Sequence, residues 1–128
     1  MEVVKMKIIK VGIIPRDHFQ KRLIDIASGR YIPKKNEPKI WFSSIKSLGE
    51  VLSENNLRLL RIIDEEKPSS IKELADITHR QPGNLSRTLK TMERYGIIEF
   101  KKTGKNSKPI AKALGFNIEY NVRNYLHC

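Results

Sequence analysis

The segment from Ser69 to Ala113 constrains the fold more than any other part of the chain. Ser70 and Glu73 have the Ser-x-x-Glu spacing of a helix capping box, which predicts a helix that starts near Ile71. The polar residues 78–81 then interrupt the helical pattern. We therefore expect a short helix followed by a tight turn.

A second helix is predicted over residues 82–95. Pro82 is tolerated at a first helical position because its missing N–H would be unpaired there. Gly96 suits the left-handed residue that ends many helices. Apolar residues at helical spacing predict one buried face, formed by Leu85, Leu89 and Met92.

A basic β-hairpin is predicted over residues 97–113. β-branched and aromatic residues indicate a first strand from Ile97 to Lys102, followed by a turn from Gly104 to Ser107 and a return strand from Lys108 to Ala113. Two short helices and a basic hairpin predict a winged helix-turn-helix within an α+β fold. In that fold the second helix enters the DNA major groove and the hairpin follows the backbone.

Polar and basic side chains occupy the outward face of the second helix and the hairpin. An Asn or Arg side chain can form two hydrogen bonds with the edge of one base, whereas Lys and Thr are suited to contacts with phosphate. We expect Asn84 and Arg87 to read bases, with Ser86 as a further candidate. The rest of the expected DNA-binding set is Arg80, Gln81, Lys90, Thr91, Arg94, Lys101, Lys102, Lys105 and Lys108.

Charge is concentrated in the same segment. Residues 79–112 hold nine Lys/Arg and two Asp/Glu, a net +7, whereas residues 41–78 hold five and seven, a net −2. A solvated helix face and an ordinary hairpin would not require this concentration. The net charge of the whole chain is +11, which favours a polyanionic partner, either nucleic acid or an anionic membrane surface.

Other classes of protein find little support in the sequence. No run of 18 apolar residues and no signal peptide is present, so we expect a cytoplasmic, nucleoid-associated protein with no membrane partner. His18, His79 and His127 are scattered, and catalytic motifs are absent. We therefore expect no enzyme activity, no metal and no cofactor. Cys128 cannot form an internal disulfide, and a thiol without function is favoured over a redox sensor.

Residues 1–40 are predicted to form a strand–helix extension of net charge +6, and residues 41–128 the main domain. Alternation from Val4 to Val11 predicts a strand of about ten residues with one buried face, ended by Pro15. The extension is too small to fold alone. Its strand is therefore expected to join the sheet of its own hairpin or that of a partner subunit.

The next segment is predicted to be a helix over residues 16–28, stopped by Gly29. Residues 31–39 are rich in proline and lysine, which indicates a linker or an extended crossing segment. The apolar side of the helix is expected to comprise Phe19, Leu23, Ile26 and Ala27.

The aromatic pair Trp41–Phe42 is expected to anchor the core rather than to bind a ligand. One of Ser43–Ser44 is expected to cap a helix, and Ser53 to cap another that runs to about Glu66. Alternating residues over 116–122 predict a final strand.

The segment NLSRTLKTMERYGIIE resembles predicted MarR-like winged helix-turn-helix regulators of bacteria and archaea. An Asn-Leu-Ser-Arg-Thr-Leu helix followed by Leu/Met-Glu-Arg-Tyr-Gly recurs in that group, and the likeness extends from Trp41 through the hairpin. The resemblance implies a dimeric transcription factor with its recognition helix at 82–95 and its wing at 97–113. Some similar proteins are antitoxins that repress their own operon.

We therefore expect a homodimer that binds palindromic double-stranded DNA as a sequence-specific transcriptional regulator, with repression favoured. Two alternatives stay open. One is an antitoxin-like interaction module whose N-terminal or C-terminal strand pairs with a partner toxin. The other is a protein that binds RNA or DNA without sequence preference.

Overall fold

A computed structural model describes residues 7–121 as an α+β protein with five helices and five strands. The predicted α+β class is therefore confirmed. In chain order the elements are β1 (Ile8–Ile13), α1 (Arg16–Ala27), β2 (Ile40–Phe42), α2 (Ile45–Val51), α3 (Glu54–Glu66), α4 (Ile71–Thr78), α5 (Pro82–Arg94), β3 (Ile98–Thr103), β4 (Asn106–Ala111) and β5 (Gly115–Glu119). Within the described residues, one compact unit comprises residues 8–50 and 116–121, and the other Lys7 and residues 51–115.

The first unit contains a three-stranded sheet in the order β2-β1-β5. β1 and β2 are parallel, with Val11 opposite Ile40 and Ile13 opposite Phe42. Parallel neighbours require a crossover connection, and α1 with the segment that follows it supplies this connection. The expectation that β1 joins the hairpin sheet or a partner's sheet was therefore wrong, because β2 and β5 of its own chain flank it. β2 was not predicted because a strand of only three residues has too little pattern of its own.

β1 is shorter and more buried than its sequence suggests. It has six residues, and the predicted start at Val4 lies outside the described residues. The four successive residues from Val11 to Ile14 are all buried, so the prediction of a single buried face was wrong. Gly12 is needed in this run because a Cβ there would lie 2.5 Å from Cζ3 of Trp41.

The buried side chain of α1 is a charged one. Arg22 is only 4% exposed, and its Nη2 donates to Oε2 of the equally buried Glu37 at 2.8 Å. Its guanidinium carbon lies 5.2 Å from the ring centroid of Tyr31 and 5.0 Å from that of Trp41. The predicted apolar side was wrong because Leu23 and Ala27 are exposed.

The segment between α1 and β2 is anchored at its C-terminal end. Glu37 and Pro38 are both buried, and Lys39 donates its backbone N–H to the carbonyl of Lys10 at 3.0 Å. Residues 32–36 are exposed, so the choice between a linker and an extended crossing segment stays a prediction. Phe42, at 1% exposure, is a core residue as predicted.

Helices of the second unit follow their predicted bounds closely. Ser53 caps α3 by accepting from the N–H of Asn56, and Ser70 caps α4 by accepting from the N–H of Glu73. α5 begins at Pro82 and ends one residue earlier than predicted. Side chains from all three helices and the hairpin form the core of this unit: Leu59, Leu60, Ile63, Leu74, Ala75, Leu85, Leu89, Met92, Ile97, Ile98 and Ala111.

One of the two hydrogen bonds expected from the capping box, the one accepted by the Glu73 side chain, has a different donor. The Glu73 carboxylate accepts from the hydroxyl and the N–H of Ser69, not from the N–H of Ser70. The hydrogen bond from the Ser69 hydroxyl is the largest cause that lowers the pKa of Glu73, followed by the bond from the Ser69 N–H. The nearby charge of Lys108 lowers this pKa further.

The hairpin has a tighter turn than predicted. Thr103 pairs with Asn106, so the loop consists of Gly104 and Lys105 alone, and Gly104 adopts a φ of 65°. Two-residue hairpin loops need such left-handed residues because their twist must match the strands. The return strand therefore starts at Asn106, not at Lys108.

Candidate nucleic-acid interface

The packing of α5 fixes which of its faces reaches solvent. Leu85, Leu89 and Met92 are all fully buried, and α5 packs against α4 and β3. Residues three and four positions apart share one side of a helix. The side opposite these apolar residues is therefore held outward.

The outward side of α5 carries an exposed polar and basic stripe. We call its members the α5 stripe: Asn84, Arg87, Lys90 and Arg94, all exposed. They recur at three- or four-residue spacing, so they form one row along the helix. Of the other predicted residues on α5, Ser86 and Thr91 are half-buried.

Two residues of the α5 stripe are joined directly. Nη2 of Arg87 donates to Oδ1 of Asn84 at 2.7 Å. This bond leaves the amide N–H donors of Asn84 and the remaining guanidinium donors of Arg87 available. Paired donors of this kind bond the O6 and N7 acceptors of guanine, or two phosphate oxygens.

Thr91 and Arg80 both form hydrogen bonds within the chain. The Thr91 hydroxyl donates to the carbonyl of Arg87 at 3.1 Å, so it would have to break this bond before donating to a phosphate. Nη2 of Arg80 donates to the carbonyl of Asn55 at 3.1 Å. This contact ties the turn before α5 to the first turn of α3.

Gln81 occupies the N-cap position of α5, and its side chain makes no capping hydrogen bond. His79, at the other end of the turn, has the left-handed φ of 57°. The turn is thus shaped by backbone conformation and by Arg80. The exposed Gln81 side chain is left beside the helix start.

The hairpin divides its lysines between two faces. Lys101 lies directly opposite Lys108, and Lys102 opposite Ser107. The first pair shares its face with Thr103 and Asn106, while the second shares the face of the buried Ile98 and Ala111. Lys105 lies in the loop.

The register shows two candidate residues that the sequence interpretation missed. Thr103 and Asn106 are exposed and lie on the same hairpin face as Lys101 and Lys108. A two-residue loop at Gly104 and Lys105 would have predicted this register. The longer predicted turn concealed it.

These elements define a small α+β protein whose second unit presents a basic helix and a basic hairpin. The chain belongs to the HVO_A0114 family, whose model matches residues 51–118, more than half of its length. No curated protein matches the chain. Among residues 7–121, no helix is long and apolar enough to cross a membrane.

Proposed function

We propose that the protein is a sequence-specific DNA-binding transcriptional regulator with a winged helix-turn-helix. In this proposal α4 and α5 are the helix-turn-helix, α5 is the recognition helix, and β3–β4 is the wing. The observation that carries the proposal is the α5 stripe, an exposed row of base- and phosphate-bonding side chains opposite a fully buried apolar face.

The proposed roles follow from position and chemistry. Asn84 and Arg87 lie in the first half of α5, where recognition helices contact base edges. Lys90 and Arg94 lie further along the same stripe and suit phosphate contacts. A homodimer would place two such helices about one DNA turn apart, roughly 34 Å, on a palindromic operator.

The hairpin supports a polyanionic partner through its charge. Lys101 and Lys108 are directly opposed, and like charges at opposed positions destabilise a hairpin. The nearby carboxylate of Glu73 offsets part of this repulsion at Lys108. Phosphate groups between the two lysines would relieve this repulsion. A protein that binds DNA in this way would work at the chromosome, in the cytoplasm.

The test is binding of the purified protein to DNA upstream of its own gene and to a random duplex at two salt concentrations. We expect a preference for the operator of about a thousandfold or more, the usual range for specific binding. Affinity for both duplexes should fall with salt as counterions are released. Equal, steeply salt-dependent binding to both duplexes would indicate a non-specific nucleic-acid binder instead.

A control variant separates the α5 stripe from overall charge. Arg61→Ala removes one exposed positive charge from α3, whereas Arg94→Ala removes one from the α5 stripe. We expect Arg94→Ala to weaken DNA binding more than Arg61→Ala. Equal small effects would count against α5 as the recognition helix.

The antitoxin alternative stays a prediction. β1 is already flanked by β2 and β5 of the same chain, so of the two strands expected to pair with a toxin, only the C-terminal one lies at a sheet edge. The DNA-binding proposal does not depend on this alternative.

A further inference from the structure

Strand β5 leaves one edge of the three-stranded sheet without a neighbouring strand in the described part of the chain. The opposite edge, β2, has only three residues and follows Pro38–Lys39. A short strand, proline and lysine are all features that prevent an edge from pairing further. β5 has none of the three.

The composition of β5 and its flanking residues is unusual for this chain. The protein has 25 Lys/Arg among 128 residues, yet residues 113–122 contain no lysine, arginine or proline. Ile118 is 52% exposed, and Tyr120 just beyond the strand is 55% exposed. Glu119 is compensated by Lys10 on β1, whose Nζ lies 3.6 Å from its Oε2. The edge is therefore exposed, largely apolar and free of uncompensated charge.

We propose that β5 pairs antiparallel with β5 of a second copy of this chain. The two sheets would then form one continuous six-stranded sheet around a two-fold axis. Backbone hydrogen bonds along β5 would supply the contact, and its exposed side chains would fix the register.

The sequence of β5 selects one register. Two-fold symmetry makes the interface self-complementary, and opposed residues of antiparallel strands point to the same face. A residue at the centre must therefore face its own copy. Centring on Ile118 places Phe116 opposite Tyr120 of the partner subunit and Asn117 opposite Glu119 of the partner subunit.

The neighbouring registers are worse. Centring on Glu119 would place two carboxylates directly opposite each other, which is destabilising. Centring on Asn117 would place Phe116 opposite Ile118 of the partner subunit, but it would leave the exposed Tyr120 opposite Leu114 of the partner subunit, where both residues lie outside the strand. Of the three registers, only the Ile118 register gives Tyr120 an aromatic partner while keeping the carboxylates apart.

This inference names an interface for the homodimer that the proposed function assumes, but it does not require DNA binding. The test uses DNA-free protein, so a failure of the dimer leaves the DNA-binding test standing, and the reverse also holds. The first measurement is the mass in solution by light scattering and sedimentation at micromolar concentration. We expect the mass of a dimer. The mass of a single chain at micromolar concentration would overturn the proposal.

The second measurement uses a variant that places a charge at the predicted centre of the β5–β5 interface. Ile118→Lys sets two ammonium groups against each other, and we expect the dimer to weaken by about tenfold or more. Ile77→Lys, at an exposed apolar position of α4, is the matched control and should leave the dimer unchanged. An unchanged dimer in Ile118→Lys would overturn the proposal.

A mixture of oppositely charged variants distinguishes a weakened dimer interface from misfolding of the variants. Ile118→Lys and Ile118→Glu should each be weak dimers alone, but an equimolar mixture should form the heterodimer, because residue 118 faces its own copy. Failure of the mixture to recover dimer mass would contradict the register.

Cross-linking tests the same register covalently. In a Cys128→Ser background, Ile118→Cys should form a disulfide-linked dimer on oxidation, because opposed Cα atoms lie within disulfide range. Tyr120→Cys is the control, since the two copies of residue 120 would be offset by four residues. Cross-linking of Tyr120→Cys without Ile118→Cys would overturn the Ile118 register.

Discussion

Nη2 of Arg87 lies 2.7 Å from Oδ1 of Asn84, one helical turn earlier on α5. The sequence assigns both residues to base recognition as if they acted independently. The hydrogen bond makes them one unit, in which Asn84 orients the guanidinium. A side chain that is already ordered loses less conformational entropy on binding.

Arg87→Ala tests the base-reading role. We expect operator binding to weaken by about 1–3 kcal/mol, with relaxed preference at one base pair. The measurement is fluorescence anisotropy on the operator and on single-base variants, with Arg61→Ala as the charge-matched control. Equal loss on operator and random DNA would reduce Arg87 to a phosphate contact.

The coupling between Asn84 and Arg87 is tested by a double-mutant cycle. If Asn84 acts mainly by orienting Arg87, Asn84→Ala should cost less than Arg87→Ala. Adding Asn84→Ala to Arg87→Ala should then cost almost nothing more. Residues in contact typically show interaction energies of about 0.5–3 kcal/mol. Strictly additive losses would mean that each residue contacts DNA by itself.

The opposed lysines of the hairpin predict a conflict between stability and binding. Lys101→Gln removes the like-charge pair with Lys108, so the free energy of unfolding should rise by up to about 1 kcal/mol. DNA affinity should fall on all sequences, with a shallower salt dependence. Lys102→Gln, which faces Ser107, should give no such gain in urea unfolding. Equal stability changes in both variants would show that the opposed charges do not matter.

The parts of the fold that could be predicted are those set by residues close together in sequence. Ser53, Ser70, Pro82 and Gly96 mark helix ends through their own backbone and hydrogen-bonding chemistry, so α3, α4 and α5 were bounded within one or two residues. Apolar spacing likewise gave the buried face of α5. These features depend only on neighbours in sequence.

The errors arose where distant segments meet. Arg22 is buried because Glu37, fifteen residues away, neutralises it, and no helical pattern contains that partner. The short β2 strand is defined by its pairing with β1, not by its own three residues. In the candidate site, helical spacing predicted the α5 stripe but not the bond from Arg80 to Asn55, since that contact joins a turn to a helix 25 residues away.

Breaking the buried ion pair should be costly. Glu37→Ala leaves the buried Arg22 guanidinium without its counter-charge, and we expect a loss of about 3–5 kcal/mol in the free energy of unfolding. Replacing both residues by methionine should recover most of this loss, because no buried charge remains. Urea unfolding followed through Trp41, the single tryptophan of the chain, reports on this unit directly.

The control for that measurement lies just after the same helix, α1. Arg30 is 65% exposed and pairs with Asp25 at 3.3 Å. Arg30→Met should cost at most about 1 kcal/mol, as exposed ion pairs usually do. A Glu37→Ala loss no larger than the Arg30→Met loss would mean that water compensates Arg22.

Gly12 provides a steric test of the packing between β1 and Trp41. A Cβ at this position would lie 2.5 Å from Cζ3 of Trp41 and 2.9 Å from Cγ of Pro38, so Gly12→Ala forces the ring away from its stacking position beside Arg22. We expect a loss of about 1–3 kcal/mol, the usual cost of overpacking, and a shift in native tryptophan emission. Gly49→Ala in α2 meets nothing within 4 Å and should instead stabilise the protein by up to about 1 kcal/mol, because alanine favours a helix. If Gly12→Ala left both the urea midpoint and the emission unchanged, close packing of Trp41 on β1 would be wrong.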